Sequence, residues 1–140
     1  MPPNAPLPAG TRLALRHAWL AVGWIGVAAI VYLSLMPNPP DLGVEQGDKV
    51  EHLVAYATLM LWFAQVFVRR MSQCAVGLAL VAMGIALEFA QGATGYRTFS
   101  VADMAANAAG VLAGAWFAPP RTPSVLRLVE RWLGRAAAWP

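Results

Sequence analysis

The sequence predicts an all-α membrane protein, built as a bundle of four transmembrane helices with a short C-terminal amphipathic helix. Of its 140 residues, 59% are hydrophobic and only 12% are charged, whereas about 25% charged residues is usual for a soluble domain. The apolar residues form four long blocks, each close to the roughly 20 residues that span a bilayer. These observations favour lipid over water as the main solvent.

The first apolar block, Ala18–Met36, follows a proline- and alanine-rich lead that ends in Arg12, Arg16 and His17. We expect residues 1–17 to be a disordered lead and the block to be the first spanning helix. A signal peptide is the alternative, because positive residues before an apolar run also describe one. The run exceeds the 7–15 apolar residues of a signal peptide and lacks a small-residue cleavage site, which favours a spanning helix.

Three further blocks complete a predicted transmembrane domain over residues 18–118. They run over Val50–Val68, Cys74–Gly92 and Val101–Ala118. Ser100 and Asp103 have the spacing of a capping box at the start of the fourth helix. Cys74 is the only cysteine, which excludes an intramolecular disulfide.

The segment 119–140 is predicted to be a basic amphipathic tail. Thr122 is the expected N-cap, and Pro123 suits the first helical position. Arginines recur every four residues on one face, with apolar residues on the other. Such a helix typically lies on a membrane surface with its apolar face down; a partner-binding helix is the alternative.

The distribution of basic residues predicts the orientation, because cytoplasmic loops are enriched in Lys and Arg. With the N-terminus inside, the inner segments hold Arg12, Arg16, Arg69, Arg70, Arg121, Arg127, Arg131 and Arg135, and the outer segments only Lys49 and Arg97. Both termini are therefore predicted to be cytoplasmic.

Polar residues occur where three of the predicted helices meet the outer face. Ionisable groups inside spanning helices usually mark a functional interior, and a histidine beside carboxylates suits general acid–base chemistry. The candidate catalytic residues are His52, Glu88 and Asp103. The candidate substrate-binding residues are Asp48, Lys49, Tyr56, Gln91, Arg97 and Asn107.

Structural roles are the alternatives for several of these residues. Ser100 and Asp103 suit a helix cap, Asn107 suits a bond between helices, and Glu88 with Arg97 suits a structural ion pair. The fourth helix also carries small residues at four-residue spacing, which allow close helix packing. They are Ala102, Ala106, Gly110 and Gly114.

Read in order, four motifs resemble the VanZ-like family. They are Ser34-Leu35-x-Pro37, Asp48-Lys49-x-x-His52-x-x-x-Tyr56, Glu88-x-x-Gln91 and Arg97-x-x-Ser100-x-x-Asp103-x-x-x-Asn107-x-x-Gly110. The resemblance covers roughly residues 30–115. It implies a multi-pass protein of the bacterial inner membrane and cell envelope, in a family linked to resistance to the glycopeptide antibiotic teicoplanin.

Two functions are weighed first: a site that binds or acts on a lipid head group, and a non-enzymatic accessory or scaffold that alters envelope or drug access. The residues leave open whether the protein is an enzyme. A metal site of His52 with Asp48, Glu88 or Asp103 is a third alternative, but with one histidine in the group no metal and no cofactor is assigned. The expected partners are the lipid membrane and a lipid-linked envelope intermediate, and nucleic acid is not expected.

Overall fold

A computed structural model describes residues 13–39 and 47–137, and over these residues the chain is all-helical. The five helices are α1 (Arg16–Leu35), α2 (Gly47–Val66), α3 (Arg70–Ala93), α4 (Val101–Trp116) and α5 (Val125–Ala137). The described residues contain no strand, so the all-α class is confirmed. Residues 1–12 of the predicted disordered lead and residues 40–46 of the loop after the first block lie outside the described residues.

Two helix starts show how well local sequence predicts capping. Ser100 caps α4 as expected, since its hydroxyl oxygen accepts a hydrogen bond from the Asp103 N–H at 3.2 Å. The predicted cap of the last helix is wrong: α5 begins later, and Ser124 accepts from the Arg127 N–H at 3.4 Å. Thr122 instead donates its hydroxyl to the carbonyl oxygen of Phe117, which satisfies a carbonyl beyond the end of α4.

Helix α2 is the centre of the bundle and packs most closely against α4. A Cβ added at Gly110 would lie 2.3 Å from the Leu53 carbonyl oxygen, and one at Gly114 would lie 2.4 Å from that of Ala57. These glycines therefore let the two backbones touch. The seam differs from the predicted one, because Ala102 is exposed: strict four-residue spacing drifts around a helix of 3.6 residues per turn.

The buried seam of α4 instead follows a four-three-four spacing. Its members are Asp103, Asn107, Gly110 and Gly114. The hydrophobic core lies beside it, and most of its residues come from α2. The core cluster consists of Tyr56, Leu59, Met60, Phe63 and Ala64 of α2, with Leu80, Val111 and Ala118.

Large apolar side chains are abundant on the outside of the bundle. Trp24, Ile25 and Tyr32 of α1 and Leu112 of α4 are all more than 60% exposed, and Gly23 is the buried residue of α1. Two helices are long and apolar enough to cross a membrane by length and composition: α1, with a mean hydropathy of 2.0, and α3, with 1.8. Helix α4, with 16 residues, is shorter, and α2 carries charged residues in its first turns.

The antiparallel helices give the bundle two chemically different ends. At the end where α2 and α4 begin and α3 finishes, the described residues include four of the five described carboxylates; we call it the polar end. At the opposite end, where α1 and α3 begin, lie six arginines whose side chains the structure describes; we call it the basic end. Those arginines are Arg16, Arg69, Arg70, Arg121, Arg127 and Arg131.

Helix α5 is docked on the basic end by apolar packing and by a shared carboxylate. Leu126 is buried in a small cluster with Leu13 and Val66, and its N–H donates to the Gln65 side-chain oxygen at 3.1 Å. The Glu130 carboxylate accepts hydrogen bonds from the N–H groups of Ala14 (2.8 Å) and Leu15 (2.9 Å) and from the Trp19 indole (2.8 Å).

These bonds determine the acidity of Glu130. Partial burial acts to raise the pKa of its carboxyl, but the hydrogen bonds from Leu15, Ala14 and Trp19 outweigh that effect, and the net pKa lies below the ordinary value. The hydrogen bonds that dock α5 therefore stabilise the ionised form of the Glu130 carboxyl group.

Candidate functional site

Three helices contribute one titratable side chain each to a cluster at the polar end. His52 comes from α2, Glu88 from α3 and Asp103 from α4. One potential ligand atom from each lies within 4.8 Å of the other two. The glycine contacts between α2 and α4 hold two of these backbones close together, which brings short side chains within reach of one another.

Glu88 is almost fully buried, with 1% of its surface exposed. Its Oε2 accepts a hydrogen bond from the Ser100 N–H at 3.0 Å. In a capping box this N–H binds the side chain three residues further along, so Glu88 of a different helix takes the role that Asp103 was expected to fill. Asp103 is thereby left with its carboxylate turned to the cluster.

The second Glu88 oxygen, Oε1, accepts no hydrogen bond from any described residue, and neither does Asp103 Oδ1. Buried carboxylate oxygens normally have partners, because an unpaired one costs free energy. Asp103 Oδ1 has the Lys49 ammonium at 4.0 Å, whereas Glu88 Oε1 has no hydrogen-bond partner among the described residues.

The hydrogen bond between His52 and Asn107 determines the histidine tautomer. His52 Nδ1 lies 3.0 Å from Asn107 Oδ1. An amide oxygen only accepts, so Nδ1 carries the proton and donates it. In neutral His52 the lone pair is therefore on Nε2, and this atom lies 3.9 Å from Asp103 Oδ2.

Gly84 of α3 makes room for these groups and was not singled out from the sequence. A Cβ at this position would lie 2.9 Å from Asn107 Nδ2 and 3.2 Å from the Tyr56 hydroxyl. The Tyr56 hydroxyl is buried and has no hydrogen-bond partner among the described residues. The available signal was the seven-residue spacing of Gly77, Gly84 and Gln91, which places all three on the buried face of α3.

The remaining candidate residues are less closely associated with the cluster. Asp48 is largely exposed and pairs with Lys49 at 3.1 Å, and Lys49 lies 4.0 Å from Asp103. Gln91 is buried but donates to the Ser34 carbonyl oxygen at 2.9 Å, so it ties α3 to the end of α1.

Arg97 does not form the alternative structural ion pair with Glu88. Among the described residues no ion pair joins them, and the bond recorded for Arg97 runs from its backbone N–H to the Thr94 hydroxyl at 3.2 Å. Glu88 instead accepts from a peptide N–H, which neutralises less charge than a guanidinium would.

One comparison finds a similar protein. The chain is 34% identical over 107 residues to an uncharacterized protein of the fission yeast Schizosaccharomyces pombe, across 74% of this chain and 64% of that protein. The chain thus spans less than two thirds of the length of the relative that it matches. No protein-family model and no solved structure matches the chain.

These findings contradict the resemblance to the VanZ-like family. The relative is a fission-yeast protein and no family model matches, so the expected VanZ-like membership is wrong. The expectations that it carried are wrong with it: the bacterial cell envelope, the link to teicoplanin and antibiotic resistance, and the envelope lipid head-group or accessory function.

The predicted localisation, a multi-pass protein of the bacterial inner membrane with both termini cytoplasmic, is also wrong on these findings, since the relative is a fission-yeast protein. Among the described residues two helices, not four, meet the length and hydropathy requirement for a span by themselves. The mistaken family resemblance has a physical reason: the four motifs that suggested it are short sets of polar residues at helix ends. Buried polar groups in any small helical bundle favour such positions, because helix ends offer unpaired backbone groups.

Proposed function

We propose that the protein is an integral membrane protein that binds a divalent metal ion through His52, Glu88 and Asp103. One observation supports this most directly: an imidazole nitrogen and one oxygen from each of two carboxyl groups converge from three helices, within 4.8 Å of one another. The Asn107 bond places the imidazole proton on the far nitrogen. A cation at the centre would satisfy all three groups at once.

The distances favour a shared ion over a direct hydrogen bond. The 3.9 Å between His52 Nε2 and Asp103 Oδ2 exceeds the roughly 3.2 Å limit of a hydrogen bond. Two metal–ligand bonds of about 2.1 Å to one ion span up to about 4.2 Å. The alternative is a protonated His52 that pairs directly with the carboxylates. Such an imidazolium would need a shorter distance from Nε2 to Asp103 than the observed 3.9 Å to donate a hydrogen bond.

The ligand set indicates the class of metal. One imidazole nitrogen with two carboxylate oxygens suits Mn²⁺, Fe²⁺ or Zn²⁺, whereas Mg²⁺ and Ca²⁺ prefer oxygen alone. Two carboxylates also balance the charge of a divalent ion. The Asn107 amide holding the other nitrogen matches the outer partner that ligating histidines usually have.

The sequence alone assigned no metal, because it shows one histidine among several carboxylates. The proposal rests on the His52–Asn107 geometry, on the convergence of three side chains from three helices, and on the Glu88 oxygen without a described hydrogen-bond partner. The proposed function is metal binding at the polar end, and no catalysed reaction is proposed.

Membrane insertion of all four bundle helices is the second part of the proposal. Helices α1 and α3 meet the requirements for a span by themselves. Helix α2, with 20 residues, is about 30 Å long, and α4, with 16 residues, is about 24 Å long. Helix α2 packs against both α1 and α3, and α4 packs against α2 and α3. Their outward side chains include Val54 and Leu112, at 53% and 71% exposed, which suit lipid better than water.

Metal analysis of the purified full chain tests the site. We expect the protein, purified in nonionic detergent, to bind Mn²⁺ or Zn²⁺ at a ratio of about one in isothermal titration. His52→Gln, Glu88→Gln and Asp103→Asn should each weaken binding about 100-fold or more, since the first removes the imidazole nitrogen and the other two replace a charged carboxylate by a neutral amide. Asp48→Asn is the matched control, because this carboxylate lies at the same end, is 56% exposed and pairs with Lys49; it should bind like the wild type.

Two outcomes would contradict the metal site: no binding by the wild type, or equal loss in Asp48→Asn and the three ligand variants. Membrane insertion is tested separately by alkaline carbonate extraction of membranes. Release of the chain into the supernatant would overturn that part alone.

A further inference from the structure

The basic end contains a cavity that the metal site does not involve. Its volume is about 310 Å³, and it lies where the α2–α3 connection faces the start of α1. This size is at the lower end of small-molecule sites, which run from about 300 to 1,000 Å³. Arg16, Arg69 and Ser72 line it together with the apolar residues Leu13, Val66 and Phe67.

The two arginines come from different helical segments and reach the same space. Arg16 belongs to the first turn of α1, and its guanidinium carbon lies 5.4 Å from the centre of the Phe67 ring. Arg69 immediately precedes α3. A guanidinium presents several N–H donors in one plane, which matches phosphate oxygens better than an ammonium does.

The charges around the cavity are not neutralised by described carboxylates. Glu130 is the described carboxylate at this end, and its oxygens accept the hydrogen bonds of Ala14, Leu15 and Trp19. The first turn of α3 contains no acidic residue, and its N-cap makes no side-chain hydrogen bond. The start of this 24-residue helix therefore adds partial positive charge to that of the arginines.

We infer that this cavity binds a phosphate group, held between Arg16 and Arg69 with Ser72 as a hydroxyl donor. The apolar side of the lining suits a phosphate carried by an amphiphile, and a free phosphate ion shares the same polar contacts. The inference goes beyond the proposed metal site, since it concerns the opposite end of the bundle and different residues.

Titration of delipidated protein in nonionic detergent tests the inference with three probes. They are dihexanoyl phosphatidylglycerol, inorganic phosphate and the zwitterionic dihexanoyl phosphatidylcholine. We expect saturable binding of at least one anionic probe and weaker binding of phosphatidylcholine. Phosphatidylglycerol binding without phosphate binding identifies a lipid ligand, whereas equal binding of phosphate identifies the free ion.

Variants that remove the same charge inside and outside the cavity distinguish a defined phosphate site from general electrostatic attraction to the basic end. Arg16→Gln and Arg69→Gln should each weaken binding about tenfold, because each removes a charged hydrogen-bond partner. Arg70→Gln removes the same charge one residue away, outside the cavity lining, and should stay within about twofold of the wild type. Equal losses in all three variants, or binding of neither anionic probe, would overturn the inference.

Two controls keep the test independent of folding and of the metal site. Arg16→Lys retains the positive charge over Phe67 but loses the planar fork, so it should keep the thermal midpoint and still bind less tightly. Metal affinity should be unchanged in all of these variants. If the wild type binds no metal but still binds an anionic probe, the proposed function is contradicted and the phosphate inference stands.

Discussion

At the scale of single residues, Asn107 decides which nitrogen of His52 faces the carboxylates. The amide oxygen accepts from Nδ1 at 3.0 Å, and Asn107 is itself 2% exposed, so competition from water is weak. The same residue packs beside Gly84, where a side chain would collide with it. A small residue on α3 therefore supports the position of a polar residue on α4.

Asn107→Ala should weaken metal binding about 10- to 100-fold although all three ligands remain, because outer partners of ligating histidines have effects of this size. Titration with Mn²⁺ and Zn²⁺ measures it. His17→Ala, far from the cluster in sequence and exposed on α1, is the control and should leave the affinity unchanged. Wild-type affinity in Asn107→Ala would show that the amide does not orient the ligand.

At the scale of helices, contact between α2 and α4 depends on two glycines. The space at Gly110 and Gly114 is closed by backbone carbonyl oxygens, which cannot turn away as a flexible side chain can. The polar residues Asp103 and Asn107 continue the same seam. The close approach that buries them is therefore the one that brings His52 within reach.

Gly110→Ala and Gly114→Ala should each destabilise the bundle by about 1–3 kcal/mol, since overpacking a close contact forces the helices apart. Gly134→Ala is the matched control: nothing lies within 4 Å of a Cβ there, and alanine favours helix over glycine. Thermal unfolding in detergent compares the three. A destabilisation by Gly134→Ala as large as the other two would contradict the packing argument.

The docking of α5 on α1 should depend on pH. Glu130 has a lowered pKa in the folded chain, so its stabilising effect is complete above its ordinary pKa of about 4.3 and is lost as pH falls through the lowered folded value. Glu130→Gln keeps one acceptor oxygen but no charge, and it should cost about 1–2 kcal/mol at pH 7, allowing for partial exposure.

Thermal unfolding of wild type and Glu130→Gln between pH 3 and pH 7 checks this dependence. The difference between the two midpoints should be largest near neutral pH and should shrink below about pH 4. A difference that stays constant across the range would show that the Glu130 charge does not hold the helix.

At the scale of the whole molecule, the proposed ion links three helices that otherwise share a small apolar core. Binding to the folded state alone stabilises it by about 2.7 kcal/mol at a ligand concentration of 100 Kd. We therefore expect saturating Mn²⁺ or Zn²⁺ to raise the unfolding midpoint by roughly 5–10 °C over EDTA. His52→Gln should show no such rise, and an equal rise in both proteins would indicate binding elsewhere.

Several features of this protein are determined by the sequence alone, because they depend on local periodicity. The apolar blocks marked the helices of the bundle, and Ser100 marked the start of α4 by its own hydrogen bond. The alternation of helix direction also indicated that His52, Glu88 and Asp103 belong at one end. These inferences need only the helical repeat and the short reach of a capping side chain.

The tertiary structure decided the features that join residues distant in the chain. Glu88 accepts the Ser100 N–H from another helix, Asn107 sets the His52 tautomer across 55 residues, and Glu130 holds the start of α1 across 115 residues or more. Short polar motifs suggested a family that the comparisons contradict, because motif spacing records helix ends and says little about which partner each side chain meets. Those partners depend on how closely the helices approach, and glycines in the seam between α2 and α4 determine that distance.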